Sequence, residues 1–201
     1  MIFEGLILGM IIGKLRGGNV INLGKFVFRS SFLLVFSLLL NLGVSILISM
    51  GYEKVIDNRM MLYIASYVML FIVLFLNLER KSIWLILIGA ICNFTAIVLN
   101  GGSMPIDLAL LEKIGSQNML QSIQMGELAN YININDAYSF TIHLGKRFTT
   151  PYWYPFKQIF SAGDVLISLG LLLLTQGIMQ IKRHKFKSNI VRFNHNGKLR
   201  V

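Results

Sequence analysis

The chain has 201 residues, 55% of them hydrophobic and 14% charged, with a mean hydropathy of +0.65. That leaves too little polar surface to cover a water-soluble globule of this size, so the composition points to a bilayer as the solvent. A net charge of +10 would suit nucleic acid, but the positive charges are divided among segments that alternate across a membrane, and nucleic acid is excluded as their partner.

The first apolar run, Met1 to Gly13, is followed rather than preceded by its charges, so it reads as a retained helix and not as a cleavable signal peptide. Its 13 residues reach only about 20 Å as a helix, short of a ~30 Å hydrocarbon core. Gly5, Gly9, Gly13 and Gly17 recur every four residues, a spacing that lets two helix backbones approach closely in lipid. A basic loop leads to Arg29. Runs over 31–50, 60–78 and 82–99 each approach the ~20 residues that a spanning helix needs, and Gly51 to Arg59 is a short turn between the first two. From 100 to 158 the chain is external. Ser103 as a cap, Pro105 in a first turn, and Ile106, Leu110, Leu111 and Ile114 on one face before Gly115 predict a short amphipathic helix. Gln117 to Met125 predicts a second, and both are expected to lie over the bundle. Thr150 to Phe156 reads as an extended aromatic stretch at headgroup level. A fifth helix over 160–181 carries Gly163, Gly170 and Gly177 at seven-residue spacing, and residues 182–201 form a basic tail.

Charge sets the orientation. Thirteen of the 19 basic residues fall in the 14–29 loop, at Arg80 and Lys81, and in the tail, with Glu79 as the one acid among them. The other six, Lys54, Arg59, Lys113, Lys146, Arg147 and Lys157, fall on the opposite side. The positive-inside bias then puts the N-terminus outside and the C-terminus in the cytoplasm of a plasma membrane. The expected fold class is all-α: one integral membrane helical bundle over 1–181, with about five transmembrane helices plus short external surface helices.

Ionisable residues at membrane depth are site candidates because burying them is costly. Glu4 and Asp164 each lie about one turn inside the outer end of a helix, and if those helices pack together the carboxylates form a candidate catalytic pair, sharing a proton as general acid and base. Ser161 and Asp164 also have capping-box spacing, with the carboxylate complementing the positive end of the helix dipole. Asn41, Asn93 and Gln176 read as hydrogen-bonding glue between helices. Cys92 sits alone inside a run and reads as a small apolar residue. His143, His184 and His195 fall on different sides and make no metal set, and phosphate-loop, His-Glu-x-x-His and Gly-x-Ser-x-Gly motifs are absent. No cofactor or metal is implied.

Two stretches carry a resemblance. Asn93 to Pro105, ending in Asn100-Gly101-Gly102-Ser103-Met104-Pro105, and Phe160 to Gly170, containing Ser161-Ala162-Gly163-Asp164, resemble a bacterial domain-of-unknown-function family, number 5317. It comprises small multi-pass membrane proteins that pair Asn-Gly-Gly-x-Met-Pro with Ser-x-Gly-Asp, and the opening Leu15-Arg16-Gly17-Gly18 is similar too. The resemblance implies architecture and no reaction. Phe160, Asp164, Ile167 and Gly170 also resemble the last helix of lipoprotein signal peptidases, which carries one of two catalytic aspartates. Ser161 and Gly163 replace that family's Asn and Ala, and the upstream stretch Leu144 to Thr149 has no acid where a second aspartate is expected; Asp136 and Asp107 lie further back. The favoured expectation is a non-catalytic protein whose outer face binds a lipid headgroup, a peptide or another membrane subunit through Asn93, Asn100, Gly101, Gly102, Met104, Pro105, Ser161, Gly163 and Asp164. The alternative is an aspartyl hydrolase at the outer leaflet.

Overall fold

A computed structural model describes residues 1–151 and 153–181; the expected basic tail, with His184 and His195, and Tyr152 of the aromatic stretch lie outside the described residues. The chain is mostly helical. Four helices are long and apolar enough to cross a membrane: α3 (Ser31–Ser49), α5 (Arg59–Leu76), α6 (Lys81–Leu99) and α9 (Ala162–Met179). The first helix, α1 (Ile2–Leu15), has 14 residues and falls short of that length. Short helices α2 (Ile21–Gly24) and α4 (Glu53–Asp57) interrupt the loops, the latter within what the sequence presents as a plain turn.

The helices pack in the order α3, α5, α6, α9, α1, so the last long helix lies between the first and the fourth in chain order. Close approach depends on small residues, which let two helix backbones come together. Gly5, Gly9 and Gly13 are buried against Ser168, Leu172 and Met179, which makes α1 and α9 parallel. Gly17, the fourth member of the repeat, instead has φ +78° beyond the helix and touches nothing. Gly163 faces Gly89, and Gly170 faces Ile86 and Ser82, which makes α9 and α6 antiparallel. The seven-residue glycine stripe of α9 thus meets α6 rather than α1, and Gly177 is open.

Polar side chains fasten the ends. At the basic end, buried Asn77 donates to the Arg29 and Val73 carbonyls at 3.1 and 2.7 Å and accepts from the Arg29 amide at 3.0 Å. Arg16 donates to Gln176 at 3.2 Å, as a buried amide between helices should permit. An apolar core of Leu74, Ile83, Ile86, Leu87, Leu174 and Ile178 fills this end, while Val44, Ile48 and Tyr63 form a smaller core near the other. The outward faces carry Phe32, Leu39, Leu42 and Phe75, all exposed.

Residues 100–160 form a crown over one end. It holds β1 (Met104–Ile106), α7 (Leu108–Lys113), α8 (Gln117–Gln124), β2 (Tyr131–Asn133), β3 (Phe148–Thr149) and β4 (Ile159–Phe160), with single 3-10 turns at Ile134–Asp136 and Ser139–His143. The amphipathic helices of the sequence reading are present, but the first starts later. Pro105 is in a strand, with β1 parallel to β2 in the register Met104 to Tyr131, and it is Asp107 that caps α7 by accepting from the Ala109 and Leu110 amides. Ser103 is no cap: its hydroxyl donates to the Ala129 carbonyl at 2.7 Å and accepts from Arg59 at 3.3 Å. The aromatic stretch is the loop joining antiparallel β3 and β4, with Trp153 80% exposed at its tip.

Candidate functional site

The start of α9 is built around Ser161. Its buried hydroxyl accepts from the Asp164 amide at 3.0 Å while Asp164 Oδ2 accepts from the Ser161 amide at 3.0 Å, a complete capping box. Asn93 of α6 bonds to both partners. Its Nδ2 donates to Asp164 Oδ1 at 2.9 Å and its Oδ1 accepts from Ser161 Oγ at 2.7 Å. Gly163 is required for this ring, since a methyl there would overlap Asn93 Oδ1 outright and lie 2.6 Å from the Gly89 carbonyl. The Ser-x-Gly-Asp motif and Asn93 are therefore one unit.

The Asn-Gly-Gly-x-Met-Pro stretch works at the hinge between α6 and the crown. Asn100 donates to the Ala96 carbonyl at 2.7 Å and to buried Thr141 at 2.9 Å, and accepts from the Tyr138 amide at 2.9 Å. Gly101 and Gly102 follow at φ +62° and +88°, and a Cβ at Gly102 would meet the Met60 backbone at 2.8 Å. This double left-handed turn directs Met104 and Pro105 inward. The Pro105 carbonyl accepts from the Lys146 amide at 2.8 Å, and the Lys146 carbonyl accepts from the Asp107 amide at 3.0 Å, so the Lys146 backbone is held on the strand.

A cavity of about 290 Å³ lies beneath the crown, within the row of helices. Lys146 is in its roof, with Nζ 5.3 Å from the centroid of the Tyr131 ring. Asp164 and Asn93 are in one wall, and Asn41, Ser45, Ser66 and Tyr67 line others. Among the described residues, Asp164 and Lys146 form no ion pair with each other or with a third group. Asn130 also lines the cavity, and its Oδ1 is buried without a hydrogen-bond partner. Low-polarity surroundings make such an atom costly to leave unpaired.

The two candidate carboxylates do not meet. Glu4 lines a different cavity, of about 330 Å³, with Ile7, Pro151 and Tyr154. Its Oε1 accepts from Gln158 at 2.8 Å and Tyr154 at 3.3 Å, and its Oε2 lies against the Met1 amino group. Partial burial and the Glu4 carboxylate push the Tyr154 phenol above its ordinary pKa. Of the residues expected to bind, Asn93, Met104 and Asp164 reach the polar cavity; Ser161 and Gly163 stand behind Asp164, and Asn100, Gly101, Gly102 and Pro105 shape the crown. Lys146, which the sequence offers only as an external charge, Asn41, which it offers only as interhelical glue, and Asn130, Ser45, Ser66 and Tyr67 were not among the expected site residues. A signal was present on α3, where Ser37, Asn41 and Ser45 recur every four residues in an otherwise apolar run, and on α5, where Tyr63, Ser66 and Tyr67 share a face.

These features define a mostly helical protein whose apolar helices, four of them of membrane-crossing length, surround a small polar cavity under a folded crown. A family model matches residues 25–176, which include both motifs, and the chain belongs to that family, DUF5317, a family of unknown function. No curated protein and no solved structure matches the chain.

Proposed function

We propose that this is a multi-pass protein of the bacterial plasma membrane that binds, without catalysis, the polar headgroup of a zwitterionic amphiphile in the cavity under its crown. The excess of basic residues at the other end supports a crown outside, with the cavity in the outer leaflet. One observation carries the reading: a single cavity contains an anion, Asp164, which is hydrogen-bonded but not ion-paired, and a cation, Lys146, which has the Tyr131 ring beside it and no carboxylate, among the described residues. A ligand bearing both charges completes both. The volume of about 290 Å³ is at the lower end of the ~300–1,000 Å³ typical of small-molecule sites, which suits a headgroup and leaves the acyl chains to the surrounding lipid. Apolar Ile2, Leu38 and Ile167, which also line the cavity, fit that arrangement. Binding is favoured over hydrolysis because both Asp164 oxygens already accept hydrogen bonds and no second carboxylate lines the cavity among the described residues.

Native mass spectrometry of the protein with phosphatidylethanolamine and phosphatidylglycerol offered together tests this. Wild type should retain the zwitterionic lipid preferentially. Asp164→Asn, which keeps the bond from its backbone amide to the Ser161 hydroxyl but can accept only one of the two bonds its oxygens accept, should abolish the preference with the protein still folded, and Lys146→Gln should weaken retention of both lipids. Unchanged retention in both variants would end the proposal.

A further inference from the structure

A second groove lies at the opposite, basic end of the bundle. It has a volume of about 400 Å³ and is lined by Arg80, Lys81, Ser82, Leu173, Leu174 and Gly177, between the start of α6 and the later turns of α9. Its two halves differ in chemistry. The polar half has two cations and no carboxylate. Glu79 beside them is paired with Arg29 at 3.1 Å, and neither Arg80 nor Lys81 forms an ion pair among the described residues.

The Arg80 guanidinium sits 4.6 Å from the centroid of the Phe26 ring. Stacking of this kind fixes the plane of the group while leaving its N–H edges available, and a planar fork matches phosphate oxygens in pairs. The apolar half runs along α9. A Cβ at Gly177 would meet nothing within 4 Å, and Leu173 beside it is exposed, so this face of the helix is left open. Inorganic phosphate would use only the cations, whereas an acylated phosphate uses both halves.

We propose that this groove binds an anionic phospholipid, with its phosphate on Arg80 and Lys81 and an acyl chain along Leu173 and Gly177. Basic pockets between spanning helices on the cytoplasmic side recognise such headgroups by charge. The site requires the bilayer placement proposed above but is independent of what the outer cavity holds.

Two substitutions test it without disturbing buried contacts, since Lys81 is exposed and Gly177 has open space. In native mass spectrometry with phosphatidylglycerol and phosphatidylcholine, wild type should keep phosphatidylglycerol selectively. Removing one charge by Lys81→Gln should lower that retention about fivefold, the effect of roughly one interfacial cation. Gly177→Leu should lower it comparably by filling the groove, with the charge unchanged. Equal retention of the two lipids by wild type, or wild-type retention in Gly177→Leu, would overturn the proposal. So would displacement of phosphatidylglycerol by inorganic phosphate, which would assign the cations to a soluble anion. A separate alkaline carbonate extraction distinguishes failure of this site from failure of the membrane reading, because only the latter releases the protein from the pellet.

Discussion

Replacing Gly163 by alanine asks whether the Asn93–Ser161–Asp164 ring governs the stability of the bundle. The new Cβ would overlap Asn93 Oδ1 and come within 2.6 Å of the Gly89 carbonyl and 2.8 Å of Asn93 Cγ. Two of these three atoms belong to the bridging amide and the third to backbone, so relief comes from moving Asn93 or from parting α6 and α9. Moving Asn93 forfeits its bond to the Asp164 carboxylate, about 1.5–3 kcal/mol, and the Ser161 bond, about 0.5–1.5 kcal/mol. Parting the helices costs about 1–3 kcal/mol as overpacking. The cheaper route sets the loss, about 2–3 kcal/mol, which for a chain of this size lowers the melting temperature by about 4–12 °C. Gly177→Ala is the internal control, since its methyl meets nothing within 4 Å and should be neutral or stabilise by about 0.5–1 kcal/mol. Thermal unfolding of both variants and wild type in one detergent provides the comparison. Equal midpoints for the two alanine variants would refute the argument, because the helix-propensity contribution is common to both and only the packing differs.

Gly9→Leu should abolish accumulation or sharply lower stability, because even a Cβ there lies 2.8 Å from the Leu172 carbonyl; unchanged yield and melting temperature would mean that this face of α1 looks onto lipid. Asn77→Ala removes three hydrogen bonds and leaves the Arg29 amide and carbonyl without the partner that satisfies them, so a loss of about 2–4 kcal/mol in denaturant unfolding is expected. For orientation, a cysteine at Ser122 or Asn135 in a Cys92→Ala background should react with an impermeant maleimide on intact cells, while one at Ser188 should not; labelling at Ser188 would reverse the topology.

The long helices were legible because their signal is local: apolar runs of spanning length leave few alternatives, and glycines at regular intervals mark the packing faces of α1 and α9. The capping box at Ser161 and Asp164 was legible for the same reason, and Asn93 could be identified as interhelical glue. What joins Asn93 to that box is not local, since the contact closes 68 residues of chain. The crown was least legible. Pro105 is as well suited to the first turn of a helix as to a short strand, and the choice is made by pairing with Tyr131–Asn133 and the Lys146 amide, which no periodicity announces. Lys146 escaped notice because its sequence neighbourhood, Gly145-Lys146-Arg147, resembles any exposed basic loop. Only the strand carries it over the cavity.

The position of α9 has a consequence for the order in which the protein is made. Of the described helices it leaves the ribosome last, yet it supplies the packing surface for the glycine face of α1, the earliest. It also supplies the surface for Gly89 of α6. Until translation passes Met179, both small-residue faces lack their partner, and the glycine face of α1 has no helix to pack on. Packing of the bundle must therefore be completed after α9 is made rather than helix by helix. A nascent chain halted before Ala162 would present two unsatisfied seams, however well its first three long helices had formed.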